Sequence, residues 1–338
     1  MSKGKILVTG GCGYIGSHTI VDLLGNGYEV VSVDNLSNAT EGALAGIEKI
    51  TGQRIVNHQI DLAERAPTME LFKAERFTGV IHFAALKAVG ESVEQPLRYF
   101  HNNINSLLNV IAGMQATDCD KLIFSSSCSV YGNTTDLPVT EATPRQPAES
   151  PYARTKQMGE DILADYCQIA PDFKAVMLRY FNPAGAHPSS LIGEAPSNPA
   201  LNLVPVITET AIGKRESMTV FGNDYATRDG SCIRDYIHVM DLARAHTLAL
   251  DLLIDRRQKT NCELFNLGIG AGVTVLEAIH AFEQESGRSL NYKIGPRRAG
   301  DVVAIYANYD KAAAELGWQP QHDINDIMRS AWAWEQVR

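Results

Sequence analysis

KILVTGGCGYIG, residues 5–16, runs from an apolar, β-rich segment through a cluster of glycines directly into a helical pattern, Tyr14 to Asn26. Gly10, Gly11, Gly13 and Gly16 satisfy both the GxxGxxG and the GxGxxG spacing. Glycine suits such a junction because a tight turn must bring backbone N–H groups against a pyrophosphate at a helix N-terminus, where side chains obstruct and the helix dipole attracts negative charge. A second strand pattern, Glu29 to Asp34, ends on a carboxylate eighteen residues after Gly16, positioned to accept hydrogen bonds from a ribose hydroxyl. That carboxylate repels a ribose phosphate and no arginine stands in the following DNLSNAT, so the expected dinucleotide is NAD rather than NADP.

Outward from this unit, strand patterns recur at Gly79–Phe83, Lys121–Ser125 and Lys174–Arg179, separated by helical patterns that include Pro96–Gln115 and Pro151–Ile169. The alternation predicts βαβ units and a parallel sheet of six or seven strands, a Rossmann-type doubly wound α/β fold. After Phe181 the run NPAGAHPSSLIGEAPSNPALN is too long and too rich in Pro, Gly, Asn and Ser for an ordinary connection, and reads as a functional loop. The expected division is a dinucleotide domain over 1–183 and a smaller mixed α/β substrate lobe over 184–338, with some segments crossing back. Later elements read as helices near Asp241–Leu253 and Val275–Ser286 and around Lys311 and Ile324, with a strand at Glu263–Leu267.

Composition narrows the function class. The chain of 338 residues is 45% hydrophobic and 20% charged, ordinary globular values, and its net charge of -9 argues against a nucleic-acid surface. Six cysteines (Cys12, Cys119, Cys128, Cys167, Cys232, Cys262) form no CxxC pair and cluster with no histidines, so neither a metal site nor a disulfide framework is expected. The N-terminus enters a strand without the long apolar stretch of a signal peptide, and no run approaches membrane-spanning length. The expectation is a cytoplasmic protein with no membrane partner.

A second constellation follows the glycine loop. Ser127 closes the fifth strand pattern within LIFSSSCSVYG, and Tyr152 and Lys156 stand four residues apart at the start of the next helix, on one face. A phenol with an ordinary pKa near 10 is a poor base at neutral pH, but an adjacent ammonium and an oxidised nicotinamide both favour the phenolate. Tyr152 would then shuttle a proton from a sugar hydroxyl while the Ser127 hydroxyl binds the same oxygen. Asp61, ending the third strand pattern, either contacts the adenine edge or caps the following helix.

TGGCGYIGSH, HFAALKAVGES, SSSCSVYG, SPYARTK, LRYFNPAGAHPS, GNDYATRDGSCIRDYIHVMDLA and FNLGIG together resemble the UDP-glucose 4-epimerase family of extended short-chain dehydrogenases/reductases, from about residue 4 to the C-terminus. The resemblance implies an NAD-dependent isomerase of galactose metabolism, usually a homodimer, that interconverts UDP-galactose and UDP-glucose while its NAD is reduced and reoxidised in each turnover. It implies that Tyr14 and Ile15 approach the pyrophosphate, that Asp34, Asn35, Leu36, Ser37, Asn38 and Ala39 surround the adenosine ribose, and that Asp61 and Leu62 flank the adenine. Phe83, Ala84, Ala85, Lys87, Asn102 and Phe181 complete the implied cofactor pocket, and Lys156 also holds the nicotinamide ribose. Lys87, Ser127 and Tyr152, with Asn182, Asn202, Leu203, Phe221, Arg234, Arg298, Asp301 and Ile305, are the implied substrate contacts, the arginines matching a diphosphate through their planar fork.

Three positions depart from the family pattern: Cys12 where serine is common, Ala85 where glycine is common, and Ile305 where tyrosine or a smaller residue guards the sugar pocket. The intermediate size of Ile305 leaves acceptance of UDP-N-acetylhexosamines undecided. A 4,6-dehydratase needs an Asp-Glu pair directly after the hydroxyl residue, and Cys128 and Ser129 occupy those places. A UDP-glucuronate epimerase or decarboxylase stays open as an alternative. A nucleotide-sensing regulator on this fold typically lacks the tyrosine or lysine, and both are present here with Ser127.

Overall fold

The computed structural model describes residues 2–195, 199–298 and 302–338. In chain order its first elements are β1 (Lys5–Thr9), α1 (Tyr14–Gly25), β2 (Glu29–Val33), α2 (Gly42–Thr51), β3 (Asn57–His58), α3 (Arg65–Ala74), β4 (Gly79–His82), α4 (Val89–Glu94), α5 (Pro96–Ala116), β5 (Lys121–Ser127), α6 (Pro151–Ile169) and β6 (Lys174–Tyr180). Then come β7 (Asn182–Ala184), α7 (Leu203–Ala211), β8 (Met218–Phe221), β9 (Ile233–Arg234), β10 (Tyr236–His238), α8 (Val239–Ile254), β11 (Cys262–Leu267), β12 (Val273–Thr274), α9 (Val275–Ser286), β13 (Tyr292–Gly295), β14 (Ala304–Ile305), α10 (Asp310–Leu316) and α11 (Ile324–Glu335).

Seven of these strands form one parallel sheet in the order β11-β6-β5-β4-β1-β2-β3, the upper end of the six or seven expected. Its central strands are apolar on both faces because helices cover both. Ile20, Leu23, Leu242 and Ala249 of α1 and α8 pack against one face, while Leu71, Leu107, Val110 and Leu163 of α3, α5 and α6 pack against the other. The strand order reverses between β1 and β4, so a crevice opens beyond their C-terminal ends, where doubly wound sheets bind ligands. Both α8 and β11 come from beyond residue 183, so the chain returns to the sheet after its first departure.

The remaining elements build a smaller body. Val204 and Ile207 of α7, Ile279 and Phe282 of α9, and Ile327, Met328 and Trp332 of α11 share a core with Met218 and Val220 of β8. The long Pro/Gly/Ser run is fastened on both sides. Ala186 pairs with Gly193, a Cβ on Gly193 would lie 2.5 Å from the Trp334 ring, and a Cβ on Gly46 would lie 2.5 Å from the Leu191 carbonyl oxygen. The Trp334 indole N–H donates to the Glu194 carbonyl at 2.9 Å. Among the described residues no helix is long and apolar enough to cross a membrane, and no cluster of side chains could hold a metal ion.

Candidate active site

The glycine loop is shaped by contacts that leave no room for side chains. Gly10 has φ +69°, and a Cβ on Gly16 would lie 2.2 Å from the Gly10 carbonyl oxygen. Gly13 caps α1 without a side chain over the first-turn N–H groups, which therefore remain available to an anion. Tyr14 contributes through this backbone, since its own hydroxyl donates to the Gly185 carbonyl at 2.6 Å and its ring stands edge-on to His18.

Asp34, the expected ribose residue, also has a structural part. Its carboxylate accepts from the Cys12 N–H at 3.2 Å and from the Leu36 N–H at 2.9 Å, bracing the glycine loop against the end of β2. Burial raises its pKa while those two N–H bonds oppose the shift. A carboxylate has lone pairs beyond the two engaged, so the bracing leaves Asp34 able to accept further hydrogen bonds. Beside it a cleft is lined by Asn35, Ser37, Asp61, Ala63, Glu64, Leu86, Arg98, His101 and Asn102. Asp61 is exposed there, and its Oδ1 accepts from the Ala63 N–H at 2.9 Å; the cap of α3 is Glu64. Leu62 is buried beneath the cleft and receives no solvent-facing role of its own.

Loop 83–86 lies across the crevice from the glycines. Thr9 Oγ1 accepts from the Ala84 N–H at 3.1 Å and bonds His82 Nδ1 at 2.9 Å, which sets Phe83 and Ala84 beside Gly10, with Ala85 next in the chain. Buried Asn103, unnoticed in the sequence, takes the Leu86 N–H at 2.8 Å, donates to the Leu86 carbonyl at 3.0 Å and reaches Thr155 of α6 at 3.1 Å. Its neighbour Asn102 donates to the Asn103 side chain at 2.9 Å.

Ser127, Tyr152 and Lys156 meet at the C-terminal end of the sheet. β5 runs two residues beyond the expected Ser125, making Ser127 its last residue, and the Ser150 hydroxyl caps α6 by accepting from the Ala153 N–H at 3.2 Å. The Ser127 hydroxyl accepts from the Ser129 N–H at 3.2 Å and lies within electrostatic reach of the Tyr152 phenol. The Lys156 ammonium donates to the Ser125 carbonyl at 2.6 Å and stands 5.9 Å from the Tyr152 ring centre. Burial pushes the Lys156 pKa down to about 8, against the opposing pull of Glu160. Burial pushes the Tyr152 phenol up to about 12, and the nearby Ser127 hydroxyl only partly offsets it. The protein by itself holds this tyrosine neutral, so its deprotonation needs a further positive charge in the crevice.

A buried polar group lies directly behind these residues. Glu160, one turn after Lys156, accepts from Arg179 Nε at 2.8 Å, from its terminal nitrogen at 2.6 Å and from the Ser126 hydroxyl at 2.6 Å. Sequence spacing could have paired Glu160 with Lys156, but its partner on β6 is a tertiary contact with no local signature.

On the substrate side the structure gathers residues distant in sequence. Arg234 and Ile305 are register partners in the β9–β14 pair, and Ile305 packs with Phe181 and Cys128 under that pair. The Arg234 guanidinium donates to the Ile233 and Val302 carbonyls, each at 2.8 Å. Asn182 opens β7 at the end of β6, and Leu203 opens α7 next to Asn202. Glu194, not singled out in the sequence, accepts from Asn202 at 2.8 Å and lies 3.8 Å from the exposed Lys87 ammonium, bringing those two residues together. The Arg298 guanidinium sits 5.4 Å from the exposed Phe221 ring. Asp301 lies outside the described residues. Cys128, half-buried, has its thiol pushed up to about 12 by burial, so neither it nor Ser129 is an acid or base at neutral pH.

Residues 7–331 match the family model described as GDP-mannose 4,6 dehydratase. A UDP-glucose 4-epimerase from Dictyostelium discoideum is 47% identical over 333 residues, covering 98% of this chain and 96% of that protein. The structure of a Bifidobacterium longum UDP-glucose 4-epimerase in complex with NAD+ and UDP superposes with a TM-score of 0.94 at 43% identity, covering 98% of both chains. A UDP-Glc/GlcNAc 4-epimerase from Campylobacter jejuni superposes with a TM-score of 0.84 at 38% identity, covering 98% of this chain and 99% of that one.

Proposed function

This chain belongs to the family described as GDP-mannose 4,6 dehydratase and, within it, to the UDP-glucose 4-epimerases, and from that premise we propose that it inverts C4 of UDP-galactose and UDP-glucose reversibly on a bound NAD. The observation that carries this reading is the convergence of Ser127, Tyr152 and Lys156 on the mouth of a glycine cradle that a Cβ would fill. The open first turn of α1 holds the pyrophosphate, Asp34 the adenosine ribose, and the cleft from Asn35 to Asn102 the adenine end. Lys156 holds the nicotinamide ribose.

NAD supplies an acceptor for the C4 hydride that later gives it back, together with the positive charge that Tyr152 needs to ionise. Tyr152 takes the proton of the sugar 4-hydroxyl. Ser127, beside the phenol, holds the same sugar oxygen and passes the proton along a short path. A 4-keto sugar free to rotate about its link to the diphosphate would present either face to the bound dinucleotide, while Arg234 and Arg298 would keep the diphosphate fixed. Asn182, Asn202, Leu203, Phe221 and Asp301 complete the contacts to the nucleotide sugar. A dehydration would need an acid and base where Cys128 and Ser129 stand, so the family's dehydratase chemistry is not the reaction here.

The reading includes UDP-N-acetylhexosamines as additional substrates, supported by the moderate bulk of Ile305 and by the activity named for the Campylobacter jejuni relative. Residues 1–183 serve NAD and 184–338 the UDP-sugar, with α8 and β11 crossing back. The protein works as a cytoplasmic homodimer. Support for pairing comes from Val89, Val93, Leu97 and Leu108, whose apolar side chains stay exposed on α4 and α5, and support for the compartment from cysteines that are all free thiols. Light scattering would test the dimer, a monomer mass contradicting it. The activity is tested by incubating purified protein with UDP-galactose, without added NAD, beside Tyr152→Phe: UDP-glucose forms only with the parent protein. Net accumulation of NADH on adding NAD would instead indicate a dehydrogenase.

A further inference from the structure

Cys167 and Cys262 lie 95 positions apart, yet the last turns of α6 pass the first residue of β11 so closely that the Cys167 thiol donates to the carbonyl of Asn261, the residue before Cys262. Cys167 is buried in the core on that face of the sheet and Cys262, packed against the same core, is half-exposed. Cys262 is also the register partner of Ala175 on β6, whose N–H donates at 2.8 Å to the Asn261 carbonyl, the same carbonyl that the Cys167 thiol reaches, so one strand pair positions both cysteines. Cys167 Sγ lies 3.4 Å from the Asn261 carbonyl, and the Lys174 ammonium, anchored to the Asn261 side chain at 2.6 Å, stands nearby. We propose that Cys167 and Cys262 form a peroxide-oxidisable dithiol, a modification site that closes into an intramolecular disulfide tying α6 to the edge of the sheet.

The inference stands on geometry first: the Cys167 sulfur lies against the residue that precedes Cys262, the Lys174 ammonium is anchored to that same residue, and Cys262 is partly exposed. The direction of titration agrees with it. The interaction with Cys262 and the Lys174 charge lower the Cys167 pKa against burial, and the same interaction raises that of Cys262. By contrast burial pushes Cys12, Cys119 and Cys128 up to about 12.

The chemistry balances with a hydroperoxide as oxidant. Cys167, its proton released, attacks one peroxide oxygen; the O–O bond breaks, Cys167 becomes a sulfenic acid, and the departing hydroxide takes up the proton as water. The Cys262 sulfur then attacks the sulfenic sulfur, the S–O bond breaks, and the second water leaves with the Cys262 proton. Two thiols are oxidised, one peroxide is reduced to two waters, and a dithiol reductant reverses the change.

Neither cysteine belongs to the catalytic or binding machinery, so the test does not depend on the proposed activity. The cofactor-bound protein is treated with dilute hydrogen peroxide, capped with iodoacetamide and mapped by mass spectrometry. The expected result is a loss of about 2 Da and one crosslinked peptide pair containing Cys167 and Cys262, restored by dithiothreitol. In Cys262→Ser, dimedone should label Cys167, which has lost its resolving partner. The proposal is overturned if the parent protein yields both cysteines alkylated while another thiol oxidises first, or if Cys167 gains oxygen with no crosslink.

Discussion

Replacing Glu160 with glutamine should cost far more than its distance from the surface chemistry suggests. The Glu160 and Arg179 side chains are only 4% and 5% exposed, and the carboxylate accepts two bonds from the guanidinium and one from Ser126. Glutamine keeps the shape but leaves the Arg179 charge buried and turns an amide N–H₂ towards a donor. Breaking one side of a buried pair costs about 3–5 kcal/mol, roughly two to three and a half powers of ten in the unfolding equilibrium. Arg145, 3.4 Å from the carboxylate and partly exposed, adds little. Urea unfolding of cofactor-saturated protein measures the loss, and the double variant Glu160→Met with Arg179→Met removes both charges and should recover most of it. The same substitution has a catalytic signature, because Glu160 supports the Lys156 ammonium. Without it Lys156 loses its proton at lower pH, so the alkaline fall in kcat should begin below about 8 rather than near it. A stability loss under about 1 kcal/mol, or a double variant weaker than the single one, would refute the reasoning.

Tyr152→Phe should lower kcat by roughly 10²–10⁴ while the cofactor stays bound, read by turnover and by absorbance of the bound dinucleotide. Gly16→Ala forces a methyl to 2.2 Å from the Gly10 oxygen, and an overpacking cost of about 1–3 kcal/mol should weaken cofactor retention roughly ten- to a hundredfold, measured by dialysis and reconstitution. Lys156 has a folded pKa of about 8, below its ordinary 10.5, so the unfolded chain holds this proton more tightly in that window. Its contribution to stability therefore improves as pH rises from about 8 to 10.5, and in Lys156→Met that part of the rise should vanish from the pH dependence of urea unfolding. Ile305→Tyr should lower turnover of UDP-N-acetylglucosamine relative to UDP-glucose and Ile305→Ala should raise it; a ratio unmoved by both would remove Ile305 from the specificity wall.

Local geometry explains which parts of the site can be read in advance. The glycine spacing, the YxxxK pair and Asp34 at a strand end are short-range patterns, and the structure gives each the backbone setting it needs. The second duty of Asp34 is hidden because its donor, the Cys12 N–H, lies 22 residues away. Glu160 and Arg179 read as surface charges until α6 packs on β6, and Asn103 reads as an ordinary helical polar residue until it meets Leu86 and Thr155. Composition marks the run after Phe181 as unusual, yet composition cannot see that Gly193 and Trp334 clamp it or that Glu194 joins Lys87 to Asn202. The raised pKa of Tyr152 escapes the sequence for a related reason: burial is a tertiary property.

The central claim is that one bound NAD takes the C4 hydride and returns it to the same sugar, with Tyr152 moving the proton. UDP-galactose deuterated at C4 tests this directly, by mass spectrometry of the UDP-glucose formed in ordinary water. The account predicts that the product keeps the deuterium at C4, whereas its loss to solvent or its appearance in free NADH would contradict it.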